Sequence, residues 1–138
     1  MAQLDRSVAT LRIAGDDLQP TEISVLLEHA ASKEQVKGEV IIGKVTGRSR
    51  TAKIGMWRLE ATDATPEDLD GQIAELLGKL TGNLCVWEQI AARYKIDLFC
   101  GLFMNVSNEG LSISVESLKA LGERGIELGL DIYGPDEP

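Results

Sequence analysis

The stretch Val8-Ala9-Thr10-Leu11-Arg12-Ile13-Ala14 decides the fold class. Ala9, Leu11 and Ile13 alternate with Thr10 and Arg12, so apolar side chains recur at every second position. That period belongs to a strand with one face buried and the other wet. Gly15-Asp16-Asp17 interrupts it, and Pro20 follows, suited to a first helical position where its missing N–H costs nothing. Glu22 complements the dipole in the first turn, and Ile23, Leu26, Leu27 and Ala30 recur at helical spacing. The pattern predicts a helix from about Pro20 to Ala31 that lays one apolar stripe on the strand.

Working outward, Gly38–Val45 and Ala52–Thr62 both have strand character, joined by Thr46-Gly47-Arg48-Ser49-Arg50. A hairpin is the natural reading, with residues 38–45 open between strand and extended loop. In the second arm Trp57, Leu59 and Ala61 share one face, and Met56, Arg58 and Glu60 the other. Thr65-Pro66-Glu67-Asp68 reads as a helix start, with Thr65 as the cap. Leu69, Ile73, Leu76, Leu77 and Leu80 form one stripe, and Leu84, Trp87, Ile90, Ala91 and Tyr94 a second. Ile96–Met104 (IDLFCGLFM) is apolar on both faces apart from Asp97, as a strand covered on both sides would be. Ser114 caps a helix carrying Val115, Leu118 and Leu121, and Leu128, Leu130 and Ile132 alternate along a last strand.

Both ends therefore run strand, helix, strand. The expected fold is α+β: a mainly antiparallel sheet with helices packed on one face. It is read as ferredoxin-like repeated βαβ units with an inserted helical hairpin, Thr65 to Tyr94, in one domain spanning residues 1–138. The tail, about residues 135–138, is expected to be disordered.

Composition narrows the function classes. The 138 residues carry 14 Lys+Arg against 22 Asp+Glu, a formal net charge of −8, which opposes generic binding to phosphate backbones or anionic lipid. Nucleic-acid and membrane partners are accordingly not expected. Cys85 and Cys100 form no Cys-x-x-Cys pair and His29 is the only imidazole, so no metal centre is expected; both cysteines are read as free, buried thiols in a reducing compartment, with a disulfide between them the open alternative although nothing argues for secretion. Met1–Arg6 lacks the basic flank and apolar run of a signal peptide, and the cytoplasm is the expected location. No phosphate-binding glycine loop and no Gly-x-Ser-x-Gly elbow occurs, so neither catalytic residues nor a cofactor is expected. His29 ends the first helix, an ordinary place for a polar side chain.

Alternation supplies the better candidates. With helices on one face, the other should carry Arg12, Arg58, Glu60, Asp97, Phe99, Phe103, Asp131 and Tyr133. Charges beside aromatics could bind a partner or a polar small molecule. They could equally be cross-strand pairs on a wet face, each contributing under about 1 kcal/mol. Asp97 and Asp131 could do acid–base work if their carboxylates met. Trp57 and Trp87 are expected to anchor the core; Trp57 is also carried as a binding-face candidate, because Gly55 leaves room for close approach. Lys44, Arg48, Arg50 and Lys53, with Lys37, make a basic run that could grip an acidic partner or phosphate, or be a solvated loop tip.

Lys53–Glu60, Asp97–Phe103, Gly110–Ser114 and Leu128–Tyr133 resemble, in this order, blocks of a bacterial family known as domain of unknown function 4279. The resemblance implies a small stand-alone bacterial cytosolic domain and brings no activity or catalytic residues. The functional expectation is a non-enzymatic protein-binding or regulatory module. A basic partner fits the charge, and an immunity-like neutraliser of a basic toxin is one form of it. The alternatives are a small-molecule-binding protein or enzyme using the open sheet face, and a homodimer joined through its sheets.

Overall fold

A computed structural model describes residues 2–135. Its main sheet contains β2 (Arg6–Gly15), β3 (Lys33–Gln35), β6 (Gly55–Glu60), β7 (Lys95–Phe103) and β9 (Glu127–Tyr133), in the spatial order β3-β6-β2-β7-β9. Every neighbouring pair is antiparallel except β7–β9. A short parallel pair, β1 (Ala2–Gln3) with β8 (Glu109–Gly110), and a hairpin, β4 (Val40–Ile42) with β5 (Ser49–Thr51), lie outside it. The helices are α1 (Pro20–Leu27), α2 (Leu69–Lys79), α3 (Leu84–Arg93) and α4 (Val115–Glu123).

The α+β class with a mostly antiparallel sheet is the one expected. Its connectivity follows from the pairing directions. Both β3 and β2 run antiparallel to β6, so β2 and β3 are parallel to each other and split by β6. Likewise β6 and β7 are parallel and split by β2. Two interleaved split βαβ units result, the ferredoxin-like arrangement, with α1 in the first connection and the helical pair α2–α3 in the second. Helix α4 then delivers β9 beside β7, a parallel pair with no strand between. The two ends thus share their order of elements while differing in strand arrangement.

Alternation along β2 is followed to the residue. Ser7, Ala9, Leu11 and Ile13 are buried, and Val8, Thr10, Arg12 and Ala14 are half-buried on the opposite face. Trp57 and Leu59 of β6 and Ile96, Leu98 and Cys100 of β7 continue the buried face, where they join Ile23, Leu27, Ile73, Leu76, Trp87 and Ile90 from the helices in one core. Burying a large apolar side chain of this kind contributes about 1.5–3 kcal/mol, so the helix-covered face holds most of the fold's stability. Gly55 is required by close packing. A Cβ there would lie 2.8 Å from the carbonyl oxygens of both Gly15 and Leu18.

A polar clasp fixes α2 to the sheet. The Gln72 amide accepts from Ser7 Oγ (2.7 Å) and donates to the carbonyls of Ser7 (3.0 Å) and Thr62 (2.9 Å), so its buried side chain is satisfied. Asp70 reaches across to α4, its Oδ1 accepting from Ser114 N (3.0 Å) and Ser117 Oγ (2.7 Å) while Ser114 caps that helix. The Ser114 backbone N–H, then the Ser117 hydroxyl, hold the Asp70 carboxyl below its ordinary value of 3.8.

Several local expectations are corrected. Helix α1 stops at Leu27, because Glu28 turns left-handed (φ 64°) and returns its N–H to Ser24. Helix α2 starts at Leu69 with Asp68 as its cap; Thr65 follows directly on Ala64, whose backbone is engaged in an extended bridge with Ser7. Within residues 38–45 only Val40–Ile42 form a strand, and it pairs with Ser49–Thr51, while the second arm joins β2 and the unforeseen β3. Cys100 is buried as expected, whereas Cys85 is exposed near the start of α3, where only one side of the helix meets the core. Both thiols are free. The tail Asp136–Pro138 lies outside the described residues. Among the described residues no helix is long and apolar enough to cross a membrane.

Two measurements check this account. Burial pushes the Cys100 thiol up to about 12, so iodoacetamide at pH 8 should modify Cys85 alone in the native protein and both cysteines in urea; native labelling of Cys100 would contradict the packing. Asp70→Asn should cost about 1 kcal/mol at pH 7 in urea melts. Because the folded carboxyl titrates below its unfolded value, that advantage is present above pH 3.8 and fades as the pH drops through the lower folded value. The gap between wild type and variant should therefore narrow in acid, and a gap independent of pH would remove the role assigned to the charge.

Candidate functional site

The face of the sheet turned away from the helices carries a polar and aromatic surface organised in cross-strand rows. Residues in register across antiparallel or parallel neighbours point to the same side. One row crosses all five strands as Lys33, Arg58, Arg12, Asp97 and Glu127. Asp97 takes Arg12 in a two-pronged pair, Nε–Oδ1 2.9 Å and Nη2–Oδ2 2.7 Å, and the guanidinium lies 4.7 Å above the Phe99 ring. The bond to Asp97 raises the Arg12 pKa. With the Asp97 side chain only 15% exposed, this pair is better shielded than an ordinary surface ion pair.

At the far end of the face a second row runs Arg6, Phe103, Tyr133. The Arg6 guanidinium sits 4.8 Å from the Phe103 centroid, and Phe103 stacks on Tyr133 at 4.8 Å with planes 10° apart. Arg6 also pairs with Asp63 at 2.8 Å. The Tyr133 hydroxyl donates to Asp131 (2.6 Å), which raises its pKa. Arg6, Phe103 and Tyr133 border a cavity of about 510 Å³. Arginines stacked on rings explain why β7 reads as apolar on both faces although helices cover only one.

The remaining corner lies where the β4–β5 hairpin meets β3 and β6. In the hairpin Ile41 faces Arg50 across the strands, and Arg50 Nη2 donates to Gln35 Oε1 of β3 (3.4 Å), so this side of the hairpin leans over the sheet. A cavity of about 200 Å³ lies beneath, bordered by Lys33, Arg50 and Arg58 with Ile41 and Met56 as apolar walls. The hairpin's other side carries Val40 and Ile42, 63% and 67% exposed, and its turn carries Val45, 98% exposed. Charge is segregated accordingly. Lys33, Lys37, Lys44, Arg48, Arg50, Lys53 and Arg58 are seven of the 14 cations, and this segment holds only Glu34 and Glu39 of the 22 acids.

The structure brings Arg12, Arg58, Asp97, Phe99, Asp131 and Tyr133 onto one face, with Glu60 at its rim beside Lys33 (3.4 Å). Trp57 is not among them. It alternates to the opposite side, fully buried, and its Nε1 donates to Ser24 Oγ at 3.0 Å. Asp97 and Asp131 do not meet: Asp97 lies in the Arg12 row and Asp131 opposite Gly101, four residues along β7, about 13 Å at strand rise. Of the basic run, Arg50 faces the cavity and Lys44 and Arg48 lie at the turn. Lys53 lies beyond β5, and Ala52 beside it is buried. His29 sits at the surface with Nδ1 2.6 Å from the Ala30 carbonyl oxygen. Among the described residues no three His, Cys, Asp or Glu side chains converge as metal ligands would. Sequence reading missed Arg6, Lys33 and Gln35. Arg6 continues the Val8–Arg12 alternation by one period and could have been found; Lys33-Glu34-Gln35 carries no apolar period and could not.

No curated protein and no solved structure matches the chain. A family model described as "Domain of unknown function (DUF4279)" matches residues 5–135, a span that contains the whole five-stranded sheet, its four helices and the hairpin. The chain belongs to the DUF4279 family.

Proposed function

We propose that this chain is a non-enzymatic, cytoplasmic interaction module that binds another protein through the β4–β5 hairpin and the adjoining open face of the sheet. The observation that carries the reading is the hairpin's outward side. Val40, Ile42 and Val45 stand in water and contribute nothing to the core, while a two-stranded hairpin of three-residue strands is marginal by itself. Aliphatic side chains held out on a projecting element, ringed by Lys44 and Arg48, have the composition of a docking tip. Behind it the Arg12–Asp97 pair and the Arg6–Phe103–Tyr133 stack hold a preformed surface, so little side-chain ordering is left to be lost on binding.

The charge pattern separates this reading from its nearest relative. The hairpin end is basic and suits a partner whose surface is acidic and apolar. A basic partner, as an immunity-like role would need, would meet the helix layer, where Glu88 of α3 and Glu116 of α4 are exposed.

Quantitative pull-downs from the native host, with the full chain as bait, should distinguish the two. Val40→Asp with Ile42→Asp should lower recovery of a captured protein at least tenfold while leaving the melting temperature within about 2 °C, since neither side chain is buried. Glu88→Lys with Glu116→Lys should leave recovery intact. The reverse pattern, loss through the helix-layer changes and retention through the hairpin changes, would overturn the proposed surface and favour a basic partner.

A further inference from the structure

Like charges directly opposite one another in neighbouring strands destabilise a sheet, and β3, β6 and β2 place three in a line: Lys33, Arg58 and Arg12. The outer two have counter-ions. Arg12 is held by Asp97 (2.7 Å) and Lys33 by Glu60 (3.4 Å). Among the described residues the central Arg58 pairs with no carboxylate; its Nε donates instead to the Met56 thioether sulfur (2.8 Å), a weak acceptor. Arg50, arriving from the hairpin, also has no carboxylate partner and touches only the neutral Gln35 amide. Two guanidinium groups and an ammonium thus border one cavity, in a protein that places acids almost everywhere else. Glu34, the one acid along its edge, alternates to the other side of β3, opposite Trp57.

We infer that the cavity between the hairpin and the open face is a binding site for a small organic anion. Its phosphoryl or carboxylate head would be gripped by Arg58 and Arg50 with Lys33 beside them. An anion there would supply the missing counter-charge of the row, and arginine's fork of donors suits either head group. At about 200 Å³ the cavity is smaller than the ~300–1,000 Å³ of drug-sized sites, which limits the occupant to one anionic head on a short body. Ile41 and Met56 form the walls such a body would lie against. The cavity adjoins the surface proposed for protein binding, but the Val40 and Ile42 side chains that test that reading lie on the opposite side of the hairpin, so the two inferences fail separately.

Nitrogen-15 NMR titrations of the full chain with inorganic phosphate and with succinate, each against sodium chloride at equal ionic strength and pH, test it. Saturable shifts centred on the amides of Lys33, Arg50, Met56 and Arg58 are expected with at least one of the two anions. Phosphate alone would identify a phosphoryl ligand, and succinate alone a carboxylate. Arg58→Gln and Arg50→Gln should each weaken the binding at least tenfold, and Lys95→Gln, at an exposed cation in β7, should not. Arg50 lies outside the five-stranded sheet, so its variant reports even if Arg58→Gln disturbs folding. Shifts reproduced by chloride, no saturable shifts with either anion, or saturation unchanged in the Arg50 variant would each overturn the inference.

Discussion

Strand β2 hydrogen-bonds to β6 on one side and β7 on the other, and it is the strand around which both interleaved βαβ units close. Ala9, Leu11 and Ile13 must be apolar because helices and two tryptophans pack on that side, where the one polar odd-numbered residue, Ser7, is satisfied by Gln72; the even-numbered residues are thereby turned to the other face. A one-residue slip would exchange the two sets, placing Arg12 in the core and Ile13 in water. The register is therefore specified by burial itself. Everything on the open face inherits its position from that constraint: Arg12 meets Asp97, and Arg6 meets Phe103, because Leu11 and Ile13 have nowhere else to go.

Helix placement follows from the same constraint. The crossover from β6 to β7 has to pass over β2, and it does so as α2 and α3, clasped to β2 through Gln72 and Ser7. Helix α4 is joined to α2 by Asp70 and sets β9 against β7. The added strand extends the open face by one column, which is how Asp131 and Tyr133 reach it. It also leaves Leu130 and Ile132 partly in water, since the helix layer ends before the edge strand does.

The hairpin contrasts with this order. It belongs to its own two-stranded sheet, adds no large side chain to the core, and lies in the segment 33–58 that holds half of the chain's 14 cations and only two of its 22 acids. Stability and exposed chemistry are spatially divided: the helix side of the sheet holds the fold, and the hairpin with the open face presents charge, rings and exposed aliphatic groups. An anion under the hairpin would tie Arg50 to Arg58 and so couple the loop's position to occupancy of the cavity.

The sequence by itself determined much of what faces the core, because burial imposes a period that single residues report: Ala9, Leu11 and Ile13 in β2, Trp57 and Leu59 in β6, the stripe of α2, and Trp87 and Ile90 of α3, whose Leu84 and Ala91 stand in water instead. It also determined seven of the face residues, Phe103 among them, and Glu60 at the rim, since the residues between buried ones in a strand must point the other way. Trp57 was misassigned where the space beside Gly55 was given more weight than that same alternation. Only the tertiary structure decided which charges meet. The Lys33–Arg58–Arg12–Asp97 row is built from strands up to 85 positions apart, and its first member sits in a three-residue strand that carries no apolar period of its own. Register between distant strands comes from three-dimensional packing, so the unmatched charge of Arg58, and the cavity it borders, exist only in the folded chain.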